Sequence, residues 1–248
     1  MNRYNRKDSW PSGGIWVTLK KANHLRSVAV IDFHTHTLFS DGVLVPSEQV
    51  RRAHVIGYRA IGLTDHADGS NLEWIVTSIV KVSRELNRFQ KTLVIPGVEI
   101  THAPPAQIKE LVQEARNLGA MLVVVHGESP VEPVAPGTNR AAIEAGANIL
   151  AHPGLIAPED VRLAAERGVY LEITSRGGHS LTNGYVAKTA GEMGARLVLN
   201  TDSHTPENLI TRQTGLRVLR GAGLTELQAE GVLQNNEQLL DELLKRMG

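Results

Sequence analysis

From Ser27 onward, short aliphatic runs alternate with helical segments, and each of seven such runs leads into a histidine or a carboxylate. The first is the densest: Val28-Ala29-Val30-Ile31-Asp32-Phe33-His34-Thr35-His36. Strand side chains alternate with period two, so His34 and His36 project to one side of the chain. Two imidazoles converging at a strand end suit a shared metal ion.

The candidate strands are residues 27–31, 59–63, 93–98, 121–125, 148–151, 169–173 and 196–200. Aromatic residues make up only 4% of the chain, so the core must be aliphatic. Val, Ile, Leu and Ala do dominate these runs, as a sheet covered on both faces requires. Between them, residues 106–118 carry Ile108, Leu111, Val112, Ala115 and Leu118 at helical spacing, with Gly119 as the stop. Pro46 and Pro158 each suit a first helical turn. Further helices are expected over 71–89 and 205–219, with Thr225 and Asn236 as N-caps of two terminal helices. Residues 1–26 lack periodicity and read as a weakly structured extension, leaving 27–248 as one domain.

Strand–helix alternation repeated in this way predicts parallel βα units. An open doubly wound sheet draws its site from a few strands at a switch point. A closed barrel brings the C-terminal end of every strand to one mouth. Here all seven ends carry candidate chemistry: His34, His36 and Asp41; Asp65 and His66; Glu99; His126; His152; Glu172; and Asp202 with His204. A closed α/β barrel is therefore predicted.

Taken singly, each of these residues has an ordinary reading. His126 or His152 could be a hydrogen-bonded loop residue, Asp65 or Asp202 a helix N-cap, and Glu99 the cap of a turn. Together, so many titratable groups at one mouth would cost several kcal/mol in desolvation and repulsion unless cations compensate. His54, in the first helix, is assigned a solvated or helix-packing role. His102 and His179 are placed for substrate contact, and the planar fork of Arg176 suits phosphate oxygens.

Composition narrows the chemistry. There is no cysteine, which excludes disulfides, thiolate metal sites and a cysteine nucleophile. Any metal must be held by nitrogen and oxygen, which suits zinc, manganese or iron. Basic and acidic residues balance at 26 each, so no net field draws the chain to nucleic acid or membrane. No apolar run approaches the ~20 residues that span a bilayer, and the N-terminus lacks signal-peptide features. A soluble cytoplasmic protein is expected.

His34-x-His36-Thr37-x-x-Ser40-Asp41-Gly42, Thr64-Asp65-His66, Gly97-x-Glu99, His126, His152-Pro153 and Thr201-Asp202-Ser203-His204 together resemble the PHP (polymerase and histidinol phosphatase) superfamily. The resemblance runs from about Val28 to His204 and keeps the motif order. It implies a distorted (β/α)7 TIM-like barrel with two or three divalent metal ions at the C-terminal mouth. His34, His36, Glu99 and Asp202 would hold one ion. Glu99 would bridge to a second on His126 and His152, and Asp41, His66 and His204 would hold a third. Asp65 and Glu172 would orient imidazoles from behind. The implied reaction is attack of a metal-bridging hydroxide on a phosphate ester, with Arg176 or His179 neutralising phosphoryl charge. A small phosphomonoester of the histidinol phosphate kind is the expected substrate, and a phosphodiesterase or exonuclease acting on nucleotides the second reading. Amidohydrolases also begin with His-x-His but often bridge their metals with a carboxylated lysine, which no strand end here supplies. A non-catalytic module would be expected to have lost ligands.

Overall fold

The computed structural model describes residues 29–245, so the expected extension over 1–26 and the start of the first strand lie outside the described residues. Seven parallel strands run in chain order around one sheet: β1 (Val30–Asp32), β2 (Tyr58–Leu63), β4 (Leu93–Ile100), β5 (Leu122–His126), β6 (Ile149–Ala151), β7 (Tyr170–Thr174) and β8 (Leu197–Asn200). The two-residue β3 (His66–Ala67) resumes the path of β2 after Thr64-Asp65 and pairs the upper part of β4, with His66 opposite Glu99. Helices α1 (Pro46–Val55), α2 (Leu72–Phe89), α3 (Pro105–Asn117), α4 (Thr138–Glu144), α5 (Pro158–Arg167), α6 (Asn183–Met193), α7 (Arg212–Gly221) and α8 (Glu226–Lys245) complete the α/β barrel.

Strand alternation sorts the core into two shells. Val123 and Val125 of β5 face the helices, whereas Leu122 and Val124 point into the barrel with Ile95, Ile149, Tyr170 and Val198. Phe33 joins this inner cluster, and Leu239, Leu240 and Leu243 of α8 pack against it. Two residues further along the same inward parity on β5, β7 and β8, and four on β4, the chain turns polar: His126, Glu172, Asn200 and Glu99. The barrel is thus a dry plug below and a polar mouth above.

The ring is nearly closed. β1 and β8 meet without a backbone ladder, and side chains bridge the seam instead. Asn200 Oδ1 accepts from Phe33 N at 2.9 Å, and Asp32 Oδ1 accepts from Thr201 N at 3.2 Å. Higher up, Thr35 pairs with Ser203. Asn236 of α8 accepts from Leu199 N at 3.0 Å and donates to Ile31 O and Leu199 O at 3.0 and 2.8 Å.

That role corrects the reading of Asn236 as a helix cap. Residues 226–245 form one continuous helix, and Asn236 is buried in its middle because its partners lie across the seam rather than in the adjacent backbone. Thr225 does cap, trading hydrogen bonds with Gln228. The single helix expected over 205–219 is instead a 3-10 turn at Pro206–Asn208 followed by α7. Asn208 Oδ1 accepts from His204 N and Thr205 N, which turns the chain, and Thr211 starts the helix afresh by accepting from Thr214 N. Pro46 and Pro158 open α1 and α5 as expected.

Asn236→Ala removes three buried hydrogen bonds and leaves Leu199 N–H without a partner; it should destabilise the fold by about 2–4 kcal/mol. The midpoint of urea unfolding measures this.

Candidate metal centre

Each strand end aims its group inward. His34 and His36 leave β1 with ring centroids 5.0 Å apart. The turn that follows is tight: a Cβ on Gly42 would overlap the carbonyl of His36, so only glycine lets Asp41 fold back over the pair. Asp41 Oδ2 lies 3.1 Å from His204 Nε2, and its Oδ1 lies 3.4 Å from His66 Nε2. Glu99 sits at the centre, its Oε1 3.2 Å from His34 Nε2 and its Oε2 2.6 Å from His66 Nδ1. Asp202 Oδ1 is 3.2 Å from His36 Nε2. The ligand-type residues fall into overlapping groups whose donor atoms lie within 4.8 Å of one another: His34, His36 and Glu99; His34, His152 and Asp202; His36, Asp41, His66 and His204; and His126, His152 and His179.

The hydrogen bonds behind these groups show what the front atoms lack. His34 Nδ1 is 2.9 Å from Glu172 Oε1, which fixes the ring proton there and turns the Nε2 lone pair toward Glu99 and Asp202. Glu172 also accepts from His152 N and Asn200 Nδ2. His204 Nδ1 faces the Asp202 carbonyl and His126 Nδ1 the Gly127 carbonyl, so their Nε2 lone pairs also point at carboxylates. His34 Nε2, both ring nitrogens of His36, Glu99 Oε1 and His152 Nδ1 are buried without a hydrogen-bond partner. Lone pairs facing lone pairs in a dry mouth need a cation or a proton between them.

The charges divide that task unevenly. Burial resists a charge on His34, but Glu172 and Glu99 override it and hold the ring well above its ordinary pKa. His66 is likewise driven up to about 10 despite burial, by Glu99 and Asp41. Burial and the neighbouring His66 push His36 down to about 3, and burial lowers His152 as well. His36 therefore stays neutral at pH 7, and its single ring proton can serve only one of its two buried nitrogens, which leaves a lone pair on the other. Glu99 and Asp202 stay ionised against their burial because of His34 and its neighbours. Buried carboxylates and neutral imidazoles with free lone pairs are the donor set that a divalent ion with nitrogen and oxygen preferences accepts.

Not every expected role matches the geometry. Glu172 lies behind an imidazole as the resemblance implies, but Asp65 does not. Its carboxylate accepts from Thr37 N, Thr37 Oγ1, Ser40 N and Ser40 Oγ, so it secures the loop carrying Asp41 rather than a ring. Glu99, expected to bridge toward His126 and His152, lies 3.9 Å from His152 Nε2 through Oε1 and 2.6 Å from His66 Nδ1 through Oε2. His179, expected to contact substrate, stacks on His152 with centroids 4.1 Å apart. Arg176 stands at the edge, its Nε 3.9 Å from Asp202 Oδ2. His54 packs outside the mouth, with Nδ1 3.3 Å from Thr92 Oγ1. Sequence reasoning missed Glu132, which meets His102, His126 and His179. It lies on a long loop rather than at a strand end, and its only local signal is a position between Pro130 and Pro133.

Backbone geometry marks the same region. Among the described residues, the non-glycine positions with positive φ are His102 (52°), His152 (27°) and Asp202 (52°), all at the mouth.

Fold and site define a barrel protein with a histidine–carboxylate mouth suited to divalent cations. The chain matches the PHP domain over residues 32–157 and belongs to that family. It is 48% identical over 87% of its length to an uncharacterised protein of Methanocaldococcus jannaschii, 99% of which is covered. It is 32% identical to a probable phosphatase of Shewanella sp. (strain ANA-3), over 72% of this chain and 78% of that protein. Among solved structures, a chain of archaeal ribonuclease P with mature tRNA superposes with a TM-score of 0.65 at 17% identity, covering 85% of this chain and 90% of its own. Histidinol phosphate phosphatase of Lactococcus lactis, complexed with zinc, L-histidinol and phosphate, gives a TM-score of 0.56 at 17% identity, covering 79% and 94%. No helix among the described residues is long and apolar enough to cross a membrane.

All three partners of Glu172 are donors, which a carboxylate satisfies and an amide does not. Glu172→Gln should therefore weaken the binding of one divalent ion roughly 10–100-fold. Competition against a chromogenic chelator measures it, with circular dichroism as the folding control.

Proposed function

We propose that this hydrolase of phosphate esters is a divalent-metal-dependent phosphomonoesterase acting on a small phosphorylated molecule of the histidinol phosphate kind. One observation carries the reading: buried His36, Glu99 and Asp202 converge at the mouth, and neutral His36 has one proton for two buried nitrogens, which leaves a lone pair facing the site. Two or three ions of zinc, manganese or iron suit these donors. His34, His36, Glu99 and Asp202 would hold one, His126 and His152 a second, and Asp41, His66 and His204 a third. When bound, such ions lower the pKa of water toward neutrality and draw charge from a phosphoryl group.

The remaining work falls to the chain's own residues. Glu172 holds the His34 ring in the tautomer that frees Nε2. Asp65 keeps the loop of residues 37–42 in place, and with it Asp41. Arg176, beside Asp202 at the edge of the mouth, offers planar N–H groups to phosphate oxygens. His179, with Nδ1 2.6 Å from Ser129 Oγ, approaches the same Asp202 oxygen as Arg176 and can donate to the same phosphate or to the leaving oxygen. The relatives called probable phosphatases and the lactococcal enzyme's bound L-histidinol and phosphate support a small monoester.

A phosphodiesterase acting on nucleotides is the second reading, and the rim favours it at one point. Trp74, in the first turn of α2, is 54% exposed and packs edge-on against Phe39 at 5.6 Å, which leaves a surface on which a base can stack.

The double variant His34→Ala, His36→Ala should retain fewer ions and show no turnover above buffer. With manganese or zinc added, the wild type should hydrolyse p-nitrophenyl phosphate faster than bis-p-nitrophenyl phosphate. The reverse order would establish the diesterase reading, and full turnover in the double variant would overturn the metal-dependent mechanism.

A further inference from the structure

The loop between β5 and α4, residues 127–137, crosses the mouth and delivers one carboxylate into it. Glu132 Oε2 lies 3.1 Å from His126 Nε2 and 3.0 Å from His102 Nε2, while Oε1 lies 3.3 Å from His179 Nε2. None of the motifs at the strand ends includes Glu132 or His102.

His126 Nδ1 is 3.0 Å from the carbonyl of Gly127, an acceptor, so a neutral His126 carries its proton there. Its Nε2 then presents a lone pair to Glu132 Oε2. This repeats the arrangement found between His204 Nε2 and Asp41. His126 also belongs to two groups of mutually close donor atoms, one with His152 and His179 and one with His102 and Glu132.

The local backbone is built to keep that carboxylate in place. His102 holds a left-handed conformation at φ 52°, as do His152 and Asp202, and its ring is brought to 5.0 Å from that of His126. Gly154, at φ 64°, lies so close to the Glu128 carbonyl that a Cβ there would overlap it, locking the base of the loop against the segment that follows His152. Val131, next to Glu132, packs over Gly178 beside His179.

We propose that Glu132 is a ligand of the divalent ion held by His126 and His152, presented by the loop of residues 127–137 and steadied by His102. This rests on the reading of the mouth as a metal centre. Glu132 is only partly buried, so as a ligand it would hold the ion from the side open to solvent. His102 is a positioning residue: it acts through Glu132.

The test uses the full chain loaded with zinc, and separately with cobalt(II), whose visible absorption reports the donor set. Wild type is compared with Glu132→Ala and with Glu132→Gln, which keeps the side-chain volume and guards against loss of loop packing. Both variants should bind one ion at least about tenfold more weakly in chelator competition and show an altered cobalt spectrum. His102→Gln should give a smaller loss. Unchanged affinity, or weakened affinity with an unchanged cobalt spectrum, overturns the proposal, because Glu132 would then be absent or acting only through its charge. A wild type that retains no metal would instead overturn the underlying reading of the site.

Discussion

Everything at the mouth depends on the burial of carboxylates and imidazoles with their lone pairs turned toward one another. Glu99, Glu172, Asp202, His34, His36 and His152 are nearly or fully buried. Below them the barrel is filled by Phe33, Ile95, Leu122, Tyr170 and Leu240, so the upper layer has little water or polarisable surroundings to spread its charge. In such a setting an uncompensated carboxylate is costly, and a cation shared among several donors relieves many contacts at once. The inner face of one barrel thus serves both ends: its aliphatic half supplies stability, and the same strands continued upward supply chemistry.

The seam between β1 and β8 links stability to that chemistry. Asp32, driven up to about 6 by burial, is held by Thr201 and by the backbone of His34. Asn200 ties Phe33 to Glu172. The residues that close the ring therefore also fix the loops bearing His34, His36, Asp202 and His204. A regular ladder would have closed the barrel too, but it would have kept these segments extended. Side-chain closure leaves the backbone free to turn inward.

Membership of the PHP family, and a barrel shared with histidinol phosphate phosphatase, agree with a mouth whose donors are all nitrogen and oxygen. Selectivity would come from the rim. Arg176 and His179 stand on one side, and Trp74 with Phe39 adds an aromatic surface beside Asp41 on another. These rim residues sit on loops and a helix start, where side chains vary without disturbing the barrel.

Much of this was legible in the chain. Period-two alternation and aliphatic runs gave seven parallel strands, and histidine or acid at every strand end placed the site at one mouth, because a strand's direction determines where its last side chain goes. The helix starts at Pro46 and Pro158 were equally local, since proline acts on its own backbone. Other features had no local signature. Asn236 looks like a cap until β1 and β8 are seen to need its amide, and Asp65 looks like a partner for an imidazole until Thr37 and Ser40 claim both of its oxygens. Glu132 lies in a loop whose path only packing decides. The sequence by itself determined which strand-end groups reach the mouth, through strand periodicity. The tertiary structure alone decided which of them meet, because the distances between lone pairs depend on seam closure, loop paths and burial, which are properties of the assembled barrel.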